Sequence, residues 1–231
     1  MRLKEKLRPH ELWGLMALFM LHVFVLPLLV ISGEAWWGWD FGGLSQAGIN
    51  LVYYAVDLVL CFVFAGGYLR RSFDSLLDRP LDALQAYLLG LAIYFAFTSV
   101  LNMVLFSFEF FNAANPNQEA VTEVARQYTG TMIAISVFMT PIVEETVFRG
   151  GIFCGLYHKS RILAYVISIA AFSLYHVWQY AFAASDLTLL LFAVEYIPAA
   201  FMLCWSYEKS GSIWTCIALH MSINAISVLL L

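Results

Sequence analysis

Charge is scarce in this sequence: Asp, Glu, Lys and Arg together make up 12% of its 231 residues, where soluble domains carry roughly a quarter. That scarcity excludes an ordinary soluble domain. With a formal net charge of -4, nucleic acid is also excluded as a partner, because phosphate binding needs clustered Lys and Arg. Cysteine is nearly absent too. Cys61, Cys154, Cys204 and Cys216 all fall in apolar runs with no CxxC pairing, so they read as small packing residues and not as a redox or metal motif. HExxH, the helical zinc-protease signature, is missing. So are internal repeats, low-complexity tracts and charge blocks, and the connections read as short, which makes one integral domain over 1–231 the expectation.

What the chain has in abundance is apolar surface, with 62% hydrophobic residues and a mean hydropathy of +0.79. The opening "MRLKEKLRPHELWGLMALFMLHVFVLPLLVISG" pairs a basic start with an apolar core of about twenty residues. That core is longer than a signal peptide's, and no small-residue cleavage site follows, so it reads as a retained first span. A membrane helix needs about 20 mostly apolar residues. Seven segments qualify: 11–32, 46–69, 81–110, 130–157, 161–183, 187–207 and 212–230. The expected fold class is therefore all-α, a polytopic membrane bundle of about seven transmembrane helices.

Cytoplasmic connections are enriched in Lys and Arg, and here the basic residues alternate. Arg2, Lys4, Lys6 and Arg8 precede the first span; Arg70, Arg71 and Arg79 fall between the second and third; Lys159 and Arg161 join the fourth and fifth; Lys209 joins the sixth and seventh. Arg126 alone lies on the other side. The pattern predicts a cytoplasmic N-terminus in a multi-pass cell-membrane protein. The short loops fit a prokaryotic plasma membrane. The Trp-rich "EAWWGWDF" reads as an interfacial aromatic belt on the outer side, and "NAANPNQ" reads as loop.

Against this background the ionisable residues inside the spans stand out, since each costs about 2.5–3.5 kcal/mol at a helix centre and usually faces a protein interior or a wet cavity. They are Asp57, Glu144, Glu145, Arg149, His176, Glu195 and His220, with Asn224 as a neutral companion. Asp57 and Glu195 have no motif partner nearby and read as structural pairs, an access path or protonated buried acids. Glu145 and Arg149 are four residues apart, share a helix face and are expected to pair. Glu144 is turned about 100° away and is left as an acid without a dedicated partner, able to exchange a proton near neutrality. Pro141, one turn earlier, is expected to free the carbonyl of Val137 and bend the helix, while Gly150 and Gly151 permit close approach. At 1.5 Å per residue, Glu144 and His176 each lie about 22 Å from the nearest basic loop, and His220 and Asn224 lie at about 11 and 17 Å. Separate segments therefore converge on one layer.

Glu144-Glu145 with Arg149 (EExxxR), Phe172 with His176 (FxxxH) and His220 with Asn224 (HxxxN) together resemble the motifs of the CAAX protease and bacteriocin-processing, or Abi, family of intramembrane endopeptidases, which includes the type II CAAX prenyl proteases. The resemblance covers 130–230; the first three spans, 1–129, are matched only by hydrophobicity. It implies hydrolysis of a peptide bond of a membrane-associated protein or peptide in an interhelical cavity within the bilayer. Glu144 would activate water and His176 would hold or polarise it. His220 and Asn224 would lie at the developing oxyanion, and Glu145, Arg149 and Phe172 would support them. No cofactor is implied in the glutamate-dependent form. The metal-dependent alternative would use Glu144, His176 and His220 as zinc ligands. A proton- or ion-coupled transporter and a non-catalytic membrane scaffold are the readings from other classes.

Overall fold

The computed structural model describes residues 3, 5–30 and 45–229, and the Trp-rich stretch read as an aromatic belt lies outside them. Helix α1 is Pro9–Val30, with a π-helical turn at Leu21–Val25. Helices α2, Gln46–Asp78, and α3, Pro80–Leu105, follow, separated by Arg79 alone. Next come α4, Pro116–Gln127, and α5, Thr129–Tyr157. The chain continues through α6, Arg161–Tyr175, and the short α7, Trp178–Ala183. It closes with α8, Leu187–Ser210, and α9, Ile213–Leu229. Among the described residues there is no strand.

The helix starts follow local chemistry. Pro9, Pro80 and Pro116 each occupy a first turn, where a missing amide donor costs nothing. Ser45, Asn115 and Ser160 accept from the amides of Gly48, Asn117 and Leu163 at 3.3, 3.0 and 3.3 Å, satisfying donors that a helix N-terminus leaves open. At the other end of α8, Gly211 adopts φ +74°, a left-handed conformation that glycine enters without steric cost.

Five helices, α1, α2, α3, α5 and α8, are long and apolar enough to cross a bilayer, and α6 and α9 are shorter apolar helices. Large apolar side chains such as Val63, Leu81, Met103 and Ile162 lie 70–79% exposed, as lipid-facing residues do. The chain is a multi-pass membrane protein. Three expected segments take a different form. The segment at 161–183 breaks into α6 and α7 around His176 and Val177. The segment at 187–207 opens as a 3-10 helix, Leu187–Tyr196, before continuing as Ile197–Ser210. The stretch expected as a short loop after α3 contains the 12-residue helix α4.

Helix α5 is the hub, in contact with α1, α2, α6 and α9. Half of its apolar window is buried, against 33% or less in the other four long helices. Two close approaches set the packing. At Gly14 a Cβ would stand 2.8 Å from the carbonyl oxygen of Phe64, and at Gly150 it would stand 2.9 Å from the Tyr68 ring. Only glycine lets α1 and α5 sit that near α2. Helix α9 is tied to α2 by Ser212, whose hydroxyl donates to the Ser72 carbonyl at 2.7 Å, and by the Trp214 indole N–H, which donates to the Leu69 carbonyl at 2.9 Å. At the same end Arg161 makes a bidentate pair with Glu208 at 2.6 and 2.9 Å, joining α6 to α8.

Candidate active site

The geometry of the site begins with backbone irregularity in α5. Glu144 and Glu145 sit in a short α-helical piece, Thr140–Glu145, between π-helical stretches Ala134–Met139 and Thr146–Cys154. In the first of these the Thr140 amide reaches the Ile135 carbonyl. The next bond in that register would bring residue 141 to the Ser136 carbonyl, but residue 141 is a proline without an N–H. The Ser136 carbonyl is therefore open, and the Asn224 side-chain amide of α9 donates to it at 2.8 Å. The expected consequence of Pro141 thus falls on Ser136, one residue before Val137, because the π turn shifts the register.

Glu145 and Arg149 pair, with Nη1 donating to Oε1 at 3.0 Å and both side chains fully buried. Arg149 also donates to the Ala200 carbonyl at 3.2 Å, and its guanidinium lies 4.1 Å over the Phe172 ring. The same Glu145 oxygen receives Nδ1 of His220 at 2.8 Å. Carboxylate oxygen accepts, so Nδ1 carries the hydrogen, and in the neutral ring Nε2 is left as an acceptor.

Glu144 points elsewhere. It is 2% exposed, its Oε2 has no hydrogen-bond partner, and Nε2 of His176 stands 3.9 Å away. His176 occupies the break after α6, where its Nδ1 donates to the Phe172 carbonyl at 2.8 Å. A carbonyl cannot donate, so that bond sets the tautomer and turns the Nε2 lone pair toward Glu144. The imidazole is stacked on Tyr196 at 4.3 Å between ring centroids and packed on Phe172 at 4.6 Å.

Glu144, His176, His220 and Asn224 line one cavity of about 590 Å³, within the size range of small-molecule and peptide sites. Glu145, Arg149 and Phe172 lie behind that wall. Tyr53 and Tyr54 of α2, Tyr175 of α6 and Tyr196 of α8 complete it, and α4 lies across it through Gln118, Val121 and Val124. Sequence reading passed over these tyrosines because aromatic residues in apolar runs carry no distinguishing spacing. Asp57 pairs with His22 of α1, both fully buried. His22 was likewise missed, although an ionisable residue in an apolar run was itself the signal. Glu195 accepts from the Asn115 side chain at 2.7 Å, fastening the start of α4 to α8.

Among the described residues no three His, Cys, Asp or Glu side chains converge closely enough to hold a metal ion. Glu144, His176 and His220, the ligand set of the metal-dependent alternative, do not form such a group as placed, although the Nδ1 bonds of His176 to a backbone carbonyl and of His220 to Glu145 leave each Nε2 as the acceptor.

Residues 126–226 match the family described as type II CAAX prenyl endopeptidase Rce1-like. That stretch contains all three motifs, so the resemblance to the CAAX protease and bacteriocin-processing family holds where the polar layer is built. A protein of Bacillus subtilis (strain 168) named "Putative membrane peptidase YdiL" is 31% identical over 115 residues, which are 49% of this chain and 42% of that protein. The chain thus spans less than half the length of this curated relative. No solved structure gives a significant match.

Proposed function

We propose that this protein is an intramembrane endopeptidase that hydrolyses a peptide bond of a membrane-associated protein or peptide by a glutamate-activated water. The observation that carries the reading is the unpartnered Oε2 of buried Glu144 facing the Nε2 lone pair of His176 across 3.9 Å. One water at about 2.8 Å from each can bridge that gap. Both groups accept hydrogen bonds, so both water hydrogens point at the protein and an oxygen lone pair is turned to the cavity, where a peptide carbonyl would lie.

In the reaction the water oxygen bonds to the carbonyl carbon while its proton passes to Glu144. The tetrahedral intermediate then collapses, the C–N bond breaks, and Glu144 returns the proton to the leaving amine. Asn224 spends one side-chain N–H on the Ser136 carbonyl, and its second N–H is the neutral donor available to the oxyanion. His220 is a donor at Nε2 only when it carries both protons. Its bond to Glu145 makes it first a fixed wall of the site, a finer role than the motif alone implies. No step is routed through a metal.

The test compares membrane peptides by mass spectrometry from cells carrying wild-type protein or Glu144→Gln. Peptides cut only by the wild type, with the variant folded and at normal abundance, are the expected result; equal cutting by both would sink the assignment. A strong chelator should leave the rate unchanged, and its loss on chelation with recovery on added zinc would overturn the metal-free mechanism.

A further inference from the structure

Resting on that protease reading, we infer that His22 and Asp57 are positioning residues for His176, acting through a π turn of α1 that grips both lips of the break between α6 and α7. His176 sits in that break, with Tyr175 as the last residue of α6 and Trp178 as the first of α7. A break has no continuous ladder of backbone bonds to fix it, so the side chains packed on its lips set its geometry. Both lips are packed from one turn of α1, Leu21–Val25. The His22 ring lies on Tyr175 at 4.9 Å between centroids, and the Phe24 ring meets Trp178 at 5.9 Å.

That turn is built as the catalytic helix is built. In α1 the Leu26 amide reaches the Leu21 carbonyl. The next bond in that register would run from residue 27 to the His22 carbonyl, but residue 27 is a proline without an N–H. An open carbonyl within a bilayer has to be met by protein. The Tyr53 hydroxyl of α2 donates to it at 3.0 Å, as the Asn224 amide donates to the Ser136 carbonyl that Pro141 leaves open. Both donors line the cavity. One turn on from Tyr53, Asp57 accepts from Nδ1 of the same His22, and both side chains are fully buried. Helix α2 thus holds His22 by its backbone and by its ring, and π turns of this kind recur at functional sites. His22, Phe24, Tyr53 and Asp57 all lie outside residues 126–226, so the three motifs do not account for them.

NMR of isotope-labelled histidine ring nitrogens in the full chain, in detergent micelles, tests this, with the His176 signals assigned by their loss in His176→Gln. Wild-type His176 should give two separate signals, one protonated and one bare, because its Nδ1 bond to the Phe172 carbonyl fixes the tautomer. Asp57→Ala and Phe24→Ala, each read well below its unfolding midpoint, should merge them as the ring begins to exchange tautomers. Phe24 is 38% exposed, so its variant is expected to fold and decides the matter if Asp57→Ala does not. Asp57→Asn keeps an oxygen for the Nδ1 hydrogen and should restore the separation. The control is Glu11→Ala, which cuts another tie between α1 and α2, the pair of Glu11 with Arg71, and should leave both signals in place. With a peptide found by the membrane comparison above, Asp57→Ala should lower kcat at least about tenfold, as misplacing a reacting group does, and leave KM within about twofold. Separate His176 signals in both Asp57→Ala and Phe24→Ala, or merging in Glu11→Ala as well, overturn the inference, as does an unchanged kcat in Asp57→Ala. Signals that behave as expected while the wild type cuts no peptide fail the protease reading and uphold the positioning of His176.

Discussion

His220 Nδ1 stands 2.8 Å from the Glu145 oxygen that Arg149 also holds at 3.0 Å. One carboxylate thereby joins α9 to α5, and through Arg149 and the Ala200 carbonyl it reaches α8. The two adjacent acids of α5 are thus divided: Glu145 holds Arg149 and His220 through one oxygen, and Glu144 faces the cavity with an open oxygen.

That division predicts opposite phenotypes for one substitution at neighbouring positions. Glu145→Gln leaves Arg149 buried without its counter-charge and should cost about 3–5 kcal/mol of stability. Glu144→Gln should leave thermal unfolding in detergent close to wild type while lowering cleavage by at least about a thousandfold. Both variants unfolding alike would contradict the assignment of roles.

The capture of the Ser136 carbonyl gives Asn224 a structural role beside the chemical one proposed for it. Asn224→Ala should lose about 1–3 kcal/mol, the cost of an orphaned buried acceptor, and also about 10²–10³-fold in rate from the missing oxyanion donor. Asn224→Asp places a second acceptor where a donor is needed. Comparable stability and activity in Asn224→Asp and wild type would rule out the donor role.

His22 and Asp57 hold α1 to α2 inside the bundle, on the part of the chain outside 126–226. Breaking a buried pair from one side is costly, so His22→Ala and Asp57→Ala should each destabilise by about 3 kcal/mol or more. The double variant should fall well short of their sum. Additive effects in this double-mutant cycle would mean that the two residues do not act as a pair.

Near the basic end of the bundle, burial pushes the Glu5 carboxyl up from 4.5 to about 7, opposed by the Tyr207 hydroxyl and Arg71. The folded state therefore holds this proton more firmly than the unfolded chain. Between pH 4.5 and about 7 the native state binds more protons, so Glu5 makes stability fall as pH rises through that window. Glu5→Gln should flatten the fall, read as thermal unfolding midpoints at pH 5 and pH 8. An identical pH slope in wild type and variant would exclude Glu5 as its source.

Much was legible without coordinates because it is local. Apolar runs declare membrane helices by length, and the spacing of Glu145 and Arg149 places them on one face whatever the neighbours do. Helix α4 was legible too, since Asn115-Pro116 is a helix start and Ala120, Val121, Val124 and Ala125 mark an apolar face, but the polar letters around them read as loop. The seven-span count and the cytoplasmic N-terminus are expectations from the same local counting; among the described residues five helices are long and apolar enough to span and two apolar helices are shorter.

What the sequence by itself determined was which side chains could not be left in lipid: Glu144, Glu145, Arg149, His176, His220 and Asn224 had to find polar company. Only the tertiary structure decided which company. Helix packing assigned His220 to Glu145, Asn224 to the carbonyl that a π turn and Pro141 leave open, and His22 to Asp57, because hydrogen bonding depends on angstrom-scale distances between segments far apart in the chain. Among the groups that packing left open, the Glu144 oxygen opposite the His176 lone pair is the one that lines the cavity, and the proposed chemistry uses it.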